Sequence, residues 1–302
     1  MRLLIAGGGT GGHLFPGVAV AEELMSRGPE HAVLFAGTAR GLEARVLPPL
    51  GLPLATVRAA GLVGAGLGRV FRALGLLALG AGDAARILRR FRPTACLGVG
   101  GYASFPVVAL ARLRGVPTAV QEQNAWPGLA NRVLARVVRR VYAGNPEAAR
   151  HLPPAKTRVT GNPLRRSVAA PLPYAPVAAG EPARLLILGG SQGARFLNQV
   201  LPAALAAMGL PAAVWHQAGR GRADQVARAY GGRRGVRVVE FIDDMAAAYG
   251  WAQLVIARAG ALTVAELASA GRPAVLVPFP HAAGGHQEAN ARAAEARGAA
   301  MT

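Results

Sequence analysis

Twice along this chain a short, unbroken apolar run empties into a glycine turn. Arg2-Leu-Leu-Ile-Ala6 leads into Gly7-Gly-Gly-Thr-Gly-Gly12, and Arg184-Leu-Leu-Ile-Leu188 leads into Gly189-Gly-Ser-Gln-Gly193. A strand that is apolar at every position, rather than at alternate ones, must be covered on both faces, which points to a parallel sheet between helices. The same texture fills the rest of the sequence. Strand-like runs at 31–36, 52–57, 95–99, 117–121, 140–143, 212–217, 236–241, 253–257 and 273–278 alternate with helical stretches such as 16–27, 104–113, 198–208, 261–270 and 286–297. The expected class is α/β, with two doubly wound Rossmann-like domains facing each other across a cleft at their strand C-termini. The alternation lapses where Pro163, Pro171, Pro173, Pro176 and Pro182 cluster. This predicts a first domain over 1–162, a linker over 163–183 and a second domain over 184–302.

Charge narrows the partner class. The 302 residues carry 34 basic and 15 acidic side chains, a formal net charge of +19, with Lys156 the single lysine. Such an excess suits an anionic partner, although abundant Gly and Pro alongside the arginine equally suit a GC-rich genome. Aromatic residues make up only 5%, too few for base-stacking platforms, and no helix-turn-helix, zinc or RNA-recognition pattern occurs; nucleic acid is not an expected partner. Cys96 has no second cysteine to pair with, which fits a reducing cytoplasm. The N-terminus runs straight into the glycine turn without the apolar stretch of a signal peptide. In 61–92, Leu67, Val70, Phe71, Leu74, Leu77, Ala78 and Ala81 recur at helical spacing among Arg69, Arg72, Arg86, Arg89, Arg90 and Arg92. That pattern fits a helix covering the first sheet or a surface helix drawn to anionic lipid.

The first glycine turn has the Gly7-x-Gly9-x-x-Gly12 spacing of a dinucleotide site and reads as a phosphate cradle, with Pro16 in the first turn of the helix behind it. His13, in its midst, is suited to accept a proton near neutral pH. A nicotinamide site also wants an acid closing the second strand. Here that strand ends Phe35-Ala-Gly-Thr-Ala39, with Glu30 before it and Glu43 in the following helix, which argues against an NAD-linked oxidoreductase. A non-catalytic basic binding protein is the other alternative. Further glycine turns follow at 98–101, 189–193 and 259–260. Thr263 lies in a helical first turn and Glu266 one turn later, where a glutamate either complements the helix dipole or reaches a pair of ribose hydroxyls. Gln287 and Asn290 share a polar helix face. Glu122-Gln123-Asn124, at the end of an apolar strand, need hydrogen bonds, from a sugar or from the protein. His281 and His286 flank Gln287 without metal-ligand spacing, so no metal site is expected.

Together, Gly7–Pro16, Gly98–Pro106, Glu122–Asn124, Gly161–Arg165, Gly189–Arg195, Glu240–Met245, Arg258–Glu266 and His281–Asn290 resemble the MurG family of peptidoglycan glycosyltransferases. The resemblance implies the GT-B architecture and an inverting transfer of N-acetylglucosamine from UDP-GlcNAc to undecaprenyl-pyrophosphoryl-MurNAc-pentapeptide, lipid I to lipid II. It implies no tightly bound cofactor and no protein-held metal. Donor contacts would come from Thr10, Gly11, Gly12, Asn124, Arg165, Ser191, Gln192, Ile242, Ala261, Leu262, Thr263, Val264, Ala265, Glu266 and Gln287. Gly100, Gly101 and Tyr102 would face lipid I. The base would be His13, with Glu122 as its competitor; Gln121 stands where many relatives carry His. The 61–92 region would meet the anionic cytoplasmic face of the inner membrane, giving a peripheral protein. Relatives continue for several tens of residues past Thr302, so the second domain would lack its terminal piece.

Overall fold

The computed structural model describes residues 1–59, 67–190, 194–209, 211–280 and 282–302, which form two compact units, Met1–Arg165 and Arg166–Thr302. In the first, β1 (Arg2–Gly7), α1 (Gly11–Met25), β2 (Ala32–Gly37), α2 (Glu43–Val46), β3 (Leu54–Thr56), α3 (Leu67–Phe91), β4 (Ala95–Gly100), α4 (Ser104–Leu113), β5 (Thr118–Glu122), α5 (Leu129–Val137), β6 (Arg140–Ala143), α6 (Pro146–Ala149) and β7 (Thr157–Val159) follow in order. The strands are all parallel, in the order β3-β2-β1-β4-β5-β6-β7. The unbroken apolar runs are explained by the two cores they serve. Leu3 and Ile5 face Leu14, Val18 and Phe35 on one side of the sheet, while Leu4 and Ala6 face Val107, Val108 and Val120 on the other. Burying each such Leu or Ile side chain stabilises by about 1.5–3 kcal/mol.

The second unit repeats the plan with β8 (Ala183–Leu188), α7 (Arg195–Ala207), β9 (Ala212–Gln217), α8 (Ala223–Ala229), β10 (Val236–Val239), α9 (Met245–Trp251), β11 (Leu254–Ala257), α10 (Ala261–Ala270), β12 (Ala274–Leu276) and α11 (His286–Glu295). Its parallel order is β10-β9-β8-β11-β12. In this sheet β9 carries a buried polar relay: His216 lies 2.9 Å from the Tyr230 hydroxyl and 3.1 Å from Asn198 Oδ1. Residues from the proline-rich stretch pack here too. Val168 is fully buried, Arg272 donates to the Pro173 carbonyl, and Gln253 Nε2 donates to that of Ala175.

Two features differ from the sequence reading. The helix behind the first glycine turn starts at Gly11, with Thr10 in an extended conformation as its N-cap, so Pro16 lies inside α1 rather than in its first turn. The N–H that Pro16 lacks would have bonded the carbonyl of Gly12, an exposed residue that water reaches. Strand β7 is new: three edge residues around Arg158 carry no apolar run to read. In the basic stretch, 61–66 and the side chains of Leu67, Val70, Phe71, Leu74 and Leu77 lie outside the described residues. The rest of α3 buries Ala84, Ile87 and Leu88 in the core and leaves Leu79 exposed. Arg58 forks onto the buried Asp83 at 2.7 and 2.8 Å, pinning α3 to the segment after β3 and holding the Asp83 carboxyl below its ordinary range. Among the described residues no helix is long and apolar enough to cross a membrane.

Candidate functional site

Strand order reverses between β1 and β4 in the first unit, the point at which an open α/β sheet forms a crevice outside its strand ends. Gly7 pairs with Gly100 across a register shift, and Gly8 N–H donates to the Gly100 carbonyl at 3.4 Å. Helix α1 begins beside this crevice and carries His13 on its first turn. Gly100 has φ +94°, and a Cβ there would lie 2.7 Å from His13 Nδ1, so glycine is what lets the imidazole lie against the β4 end. The same Nδ1 lies 3.2 Å from Gln123 Oε1. Three segments far apart in sequence thus meet at one half-buried imidazole. Thr10, Gly12 and Tyr102 are exposed, and Gly101 and Gly11 half-buried, at the same end of the sheet. The Arg165 guanidinium stacks 4.4 Å over Phe15 of α1.

The phosphate-cradle reading of the glycine loop needs correction. Glu43, fully buried, reaches back from α2 and fills the loop from inside. Its Oε2 accepts from Gly9 N–H at 2.7 Å, and its Oε1 accepts from Thr38 N–H and Oγ1 at 2.7 and 2.9 Å. A Cβ at Gly8 would sit 2.5 Å from that carboxylate. The glycines after β1 therefore cradle the protein's own anion. Sequence distance concealed this, because Glu43 lies beyond the end of β2 where a ribose-binding acid stands.

Glu122 also has an internal task. At the end of β5, 1% exposed, its Oε1 accepts from Asn124 N–H (2.9 Å) and Nδ2–H (3.2 Å), and its Oε2 from Gly128 N–H (3.0 Å) and Asn131 Nδ2–H (2.9 Å). Four donors leave its lone pairs committed to the 122–131 loop. Gln123 is equally buried, so of the three polar residues Asn124 alone retains partial exposure.

In the second unit, β11 turns through Arg258-Ala259-Gly260 into α10. Thr263 is half-buried in the helix's first turn, among Ala261, Leu262, Val264 and Ala265. Glu266 is buried, its Oε2 accepting from the Tyr249 hydroxyl at 2.9 Å. Ile242, 4% exposed, lies in the turn after β10. From α11, Gln287 Oε1 accepts from Phe279 N–H (2.9 Å) and Asn290 Nδ2–H donates to the Ala259 carbonyl (3.1 Å), bracing the strand ends. Arg258, which sequence reasoning did not single out in so arginine-rich a chain, donates from Nη1 to the Val277 and Pro278 carbonyls, both at 3.0 Å. Ser191, Gln192 and His281 lie outside the described residues.

Two parallel α/β units, each with polar and glycine-rich strand ends, belong to the GT-B fold class. The glycosyltransferase family 28 N-terminal domain matches residues 3–143, and the family 28 C-terminal domain matches 184–302. A UDP-N-acetylglucosamine--N-acetylmuramyl-(pentapeptide) pyrophosphoryl-undecaprenol N-acetylglucosamine transferase of Geobacter sp. (strain M21) is 46% identical over 296 residues, 96% of this chain and 80% of that protein. The transferase of the same name from Anaeromyxobacter dehalogenans (strain 2CP-C) is 49% identical over 308 aligned residues, 100% of this chain and 79% of its own. The crystal structure of Acinetobacter baumannii MurG superposes with a TM-score of 0.76 at 34% identity, covering 99% of this chain and 84% of that one. The chain belongs to the MurG family of these transferases. A UDP-GlcNAc 2-epimerase from Neisseria meningitidis, 12% identical with a TM-score of 0.65, shares the fold alone.

Proposed function

We propose that this protein transfers N-acetylglucosamine from UDP-GlcNAc to lipid I, inverting the anomeric centre in a single displacement. The observation that carries the mechanism is His13, held at the β1/β4 crevice by Gly100 and Gln123. His13 takes the proton of the acceptor hydroxyl as that oxygen attacks C1 of the sugar. The bond from C1 to the diphosphate breaks, and its electron pair leaves with UDP. A positioned base of this kind contributes about 10²–10⁴ in rate. Glu122, its four contacts already made, organises the loop that carries Asn124.

On the donor side we assign Thr10, Gly11, Gly12, Asn124, Arg165, Ser191, Gln192, Ile242, Ala261, Leu262, Thr263, Val264, Ala265, Glu266 and Gln287. The N-terminal end of α10, with its positive dipole and Thr263 in its first turn, suits the diphosphate. Glu266, one oxygen oriented by Tyr249, suits the ribose hydroxyls. Gly100, Gly101 and Tyr102 face the lipid-linked acceptor. The exposed Leu79 and the exposed Arg86, Arg89 and Arg90 of α3 support peripheral attachment to an anionic surface, the cytoplasmic face of the inner membrane, through the 61–92 region.

Titration calorimetry with UDP-GlcNAc tests the donor reading. Saturable binding is expected, weakened at least ten-fold, about 1.4 kcal/mol, by Glu266→Ala. Absence of binding to the folded protein refutes it.

A further inference from the structure

Two backbone carbonyls, which accept and never donate, fix the direction of every hydrogen bond behind His13. The Gln123 carbonyl takes Asn162 Nδ2–H at 3.1 Å, which turns Asn162 Oδ1 toward Gln121 Nε2–H at 2.9 Å. Gln121 therefore presents Oε1 to Gln123, whose Nε2–H meets both that oxygen and the Val99 carbonyl, the latter at 2.8 Å. With its amide nitrogen so committed, Gln123 has Oε1 alone to offer His13. An amide oxygen only accepts, so the 3.2 Å contact is donated by His13 Nδ1–H. In the neutral ring Nε2 is then an unprotonated lone pair. Gln121 and Gln123 are 2% and 1% exposed, so water does not compete for these bonds.

We propose that Gln123 is a positioning residue that holds His13 in its Nδ1–H tautomer and keeps Nε2 available to receive the acceptor's proton. The proposal deepens the assignment of His13 as base and rests on it. When Nε2 takes the proton, the imidazolium keeps its Nδ1–H bond to Gln123, so the ring need not reorient during transfer. Gly100, having no Cβ, leaves the ring room beside the same Nδ1, and Asn162 and Gln121 stop the Gln123 amide from flipping. The unprotonated nitrogen is thus specified by a chain of neutral amides.

Long-range ¹H–¹⁵N NMR of the neutral protein reads the tautomer, with the His13 signals assigned by their loss in His13→Gln. A protonated-type shift at Nδ1 and an unprotonated-type shift at Nε2 are expected. In Gln123→Met, similar in length but without the amide, the tautomer preference is lost. With that variant kcat falls on the order of 10²-fold, while the KM for UDP-GlcNAc stays within about two-fold. A protonated Nε2 in the unsubstituted protein overturns the proposal whether or not the variant folds. An unchanged tautomer with unchanged kcat in folded Gln123→Met does so too. The tautomer is read without substrate, so its failure is distinct from a failure to transfer sugar.

Discussion

Replacing Glu43 by alanine separates the glycine loop from the carboxylate that fills it, and the structure sets the size of the effect. Three donors lose their acceptor: Gly9 N–H, Thr38 N–H and Thr38 Oγ1. Hydrogen bonds to a charged group contribute about 1.5–3 kcal/mol each, and an orphaned buried donor costs about 1–3 kcal/mol. Gly9 is exposed and Thr38 half-buried, so water re-satisfies the first cheaply and the second in part. One methylene, Cγ, stops being buried, at about 0.8 kcal/mol. Against these losses, the substitution removes a carboxylate with no ion-pair partner among the described residues, and burying such a charge costs several kcal/mol. The hydrogen-bond and packing losses outweigh that relief, for a net loosening of about 2–4 kcal/mol. At about 1.4 kcal/mol per factor of ten, native-state hydrogen exchange at the Thr38 amide should accelerate roughly 30- to 1,000-fold. Glu43→Gln should loosen Gly9 more than Thr38, because one end of the amide then sets N–H against N–H. An acceleration below about three-fold in Glu43→Ala would refute the account of the loop as self-filled.

Three more outcomes follow from the geometry. Gly100→Ala should abolish sugar transfer while sparing UDP-GlcNAc affinity, since its Cβ would displace the His13 ring; transfer kinetics beside calorimetry check this, and normal turnover refutes it. Burial pulls the His216 imidazole down to about 4, from 6.5. The unfolded chain therefore binds a proton that the folded unit refuses between those values. The stability this confers is full above pH 6.5 and is lost as pH falls toward 4, by up to about 3 kcal/mol; urea midpoints from pH 7 to 4 should drop, and less steeply in His216→Gln. Burial raises the Cys96 thiol to about 12, so Ellman's reagent should leave it unmodified in the folded protein and react on unfolding, whereas prompt labelling would contradict its place in the core.

The fold was legible where each strand serves two cores at once. An unbroken run such as Leu3–Ala6 or Leu185–Leu188 announces itself, and β6 and β9 have the bounds read from apolar runs alone. Strand β7 was not legible, because an edge strand with Arg158 at its centre needs no second buried face. Pro16 misled for a related reason: its penalty inside a helix depends on whether water reaches Gly12, which the sequence does not display. The polar residues after β5 were identified as needing partners, but which partner each takes is decided by neighbours as distant as Val99, Asn131 and Asn162. Glu43 was discounted by its position in sequence, while α2 folds its carboxylate back under Gly8. Periodicity reports burial; the donors and acceptors that meet in three dimensions leave no period.

The strand order also governs when the crevice can exist. Strand β1 pairs with β2, some thirty residues on, soon after both emerge, but its other edge waits for β4, about ninety residues later. Joining distant segments costs more loop-closure entropy than joining near ones, and until β4 arrives the second edge of β1 is an open template for wrong pairing. Gly100 and His13 cannot meet before that late strand docks, nor His13 and Gln123 before β5 follows it. Assembly of the proposed base is therefore tied to completion of the sheet, and a chain with the first unit half folded holds His13 without Gly100 and Gln123 beside it.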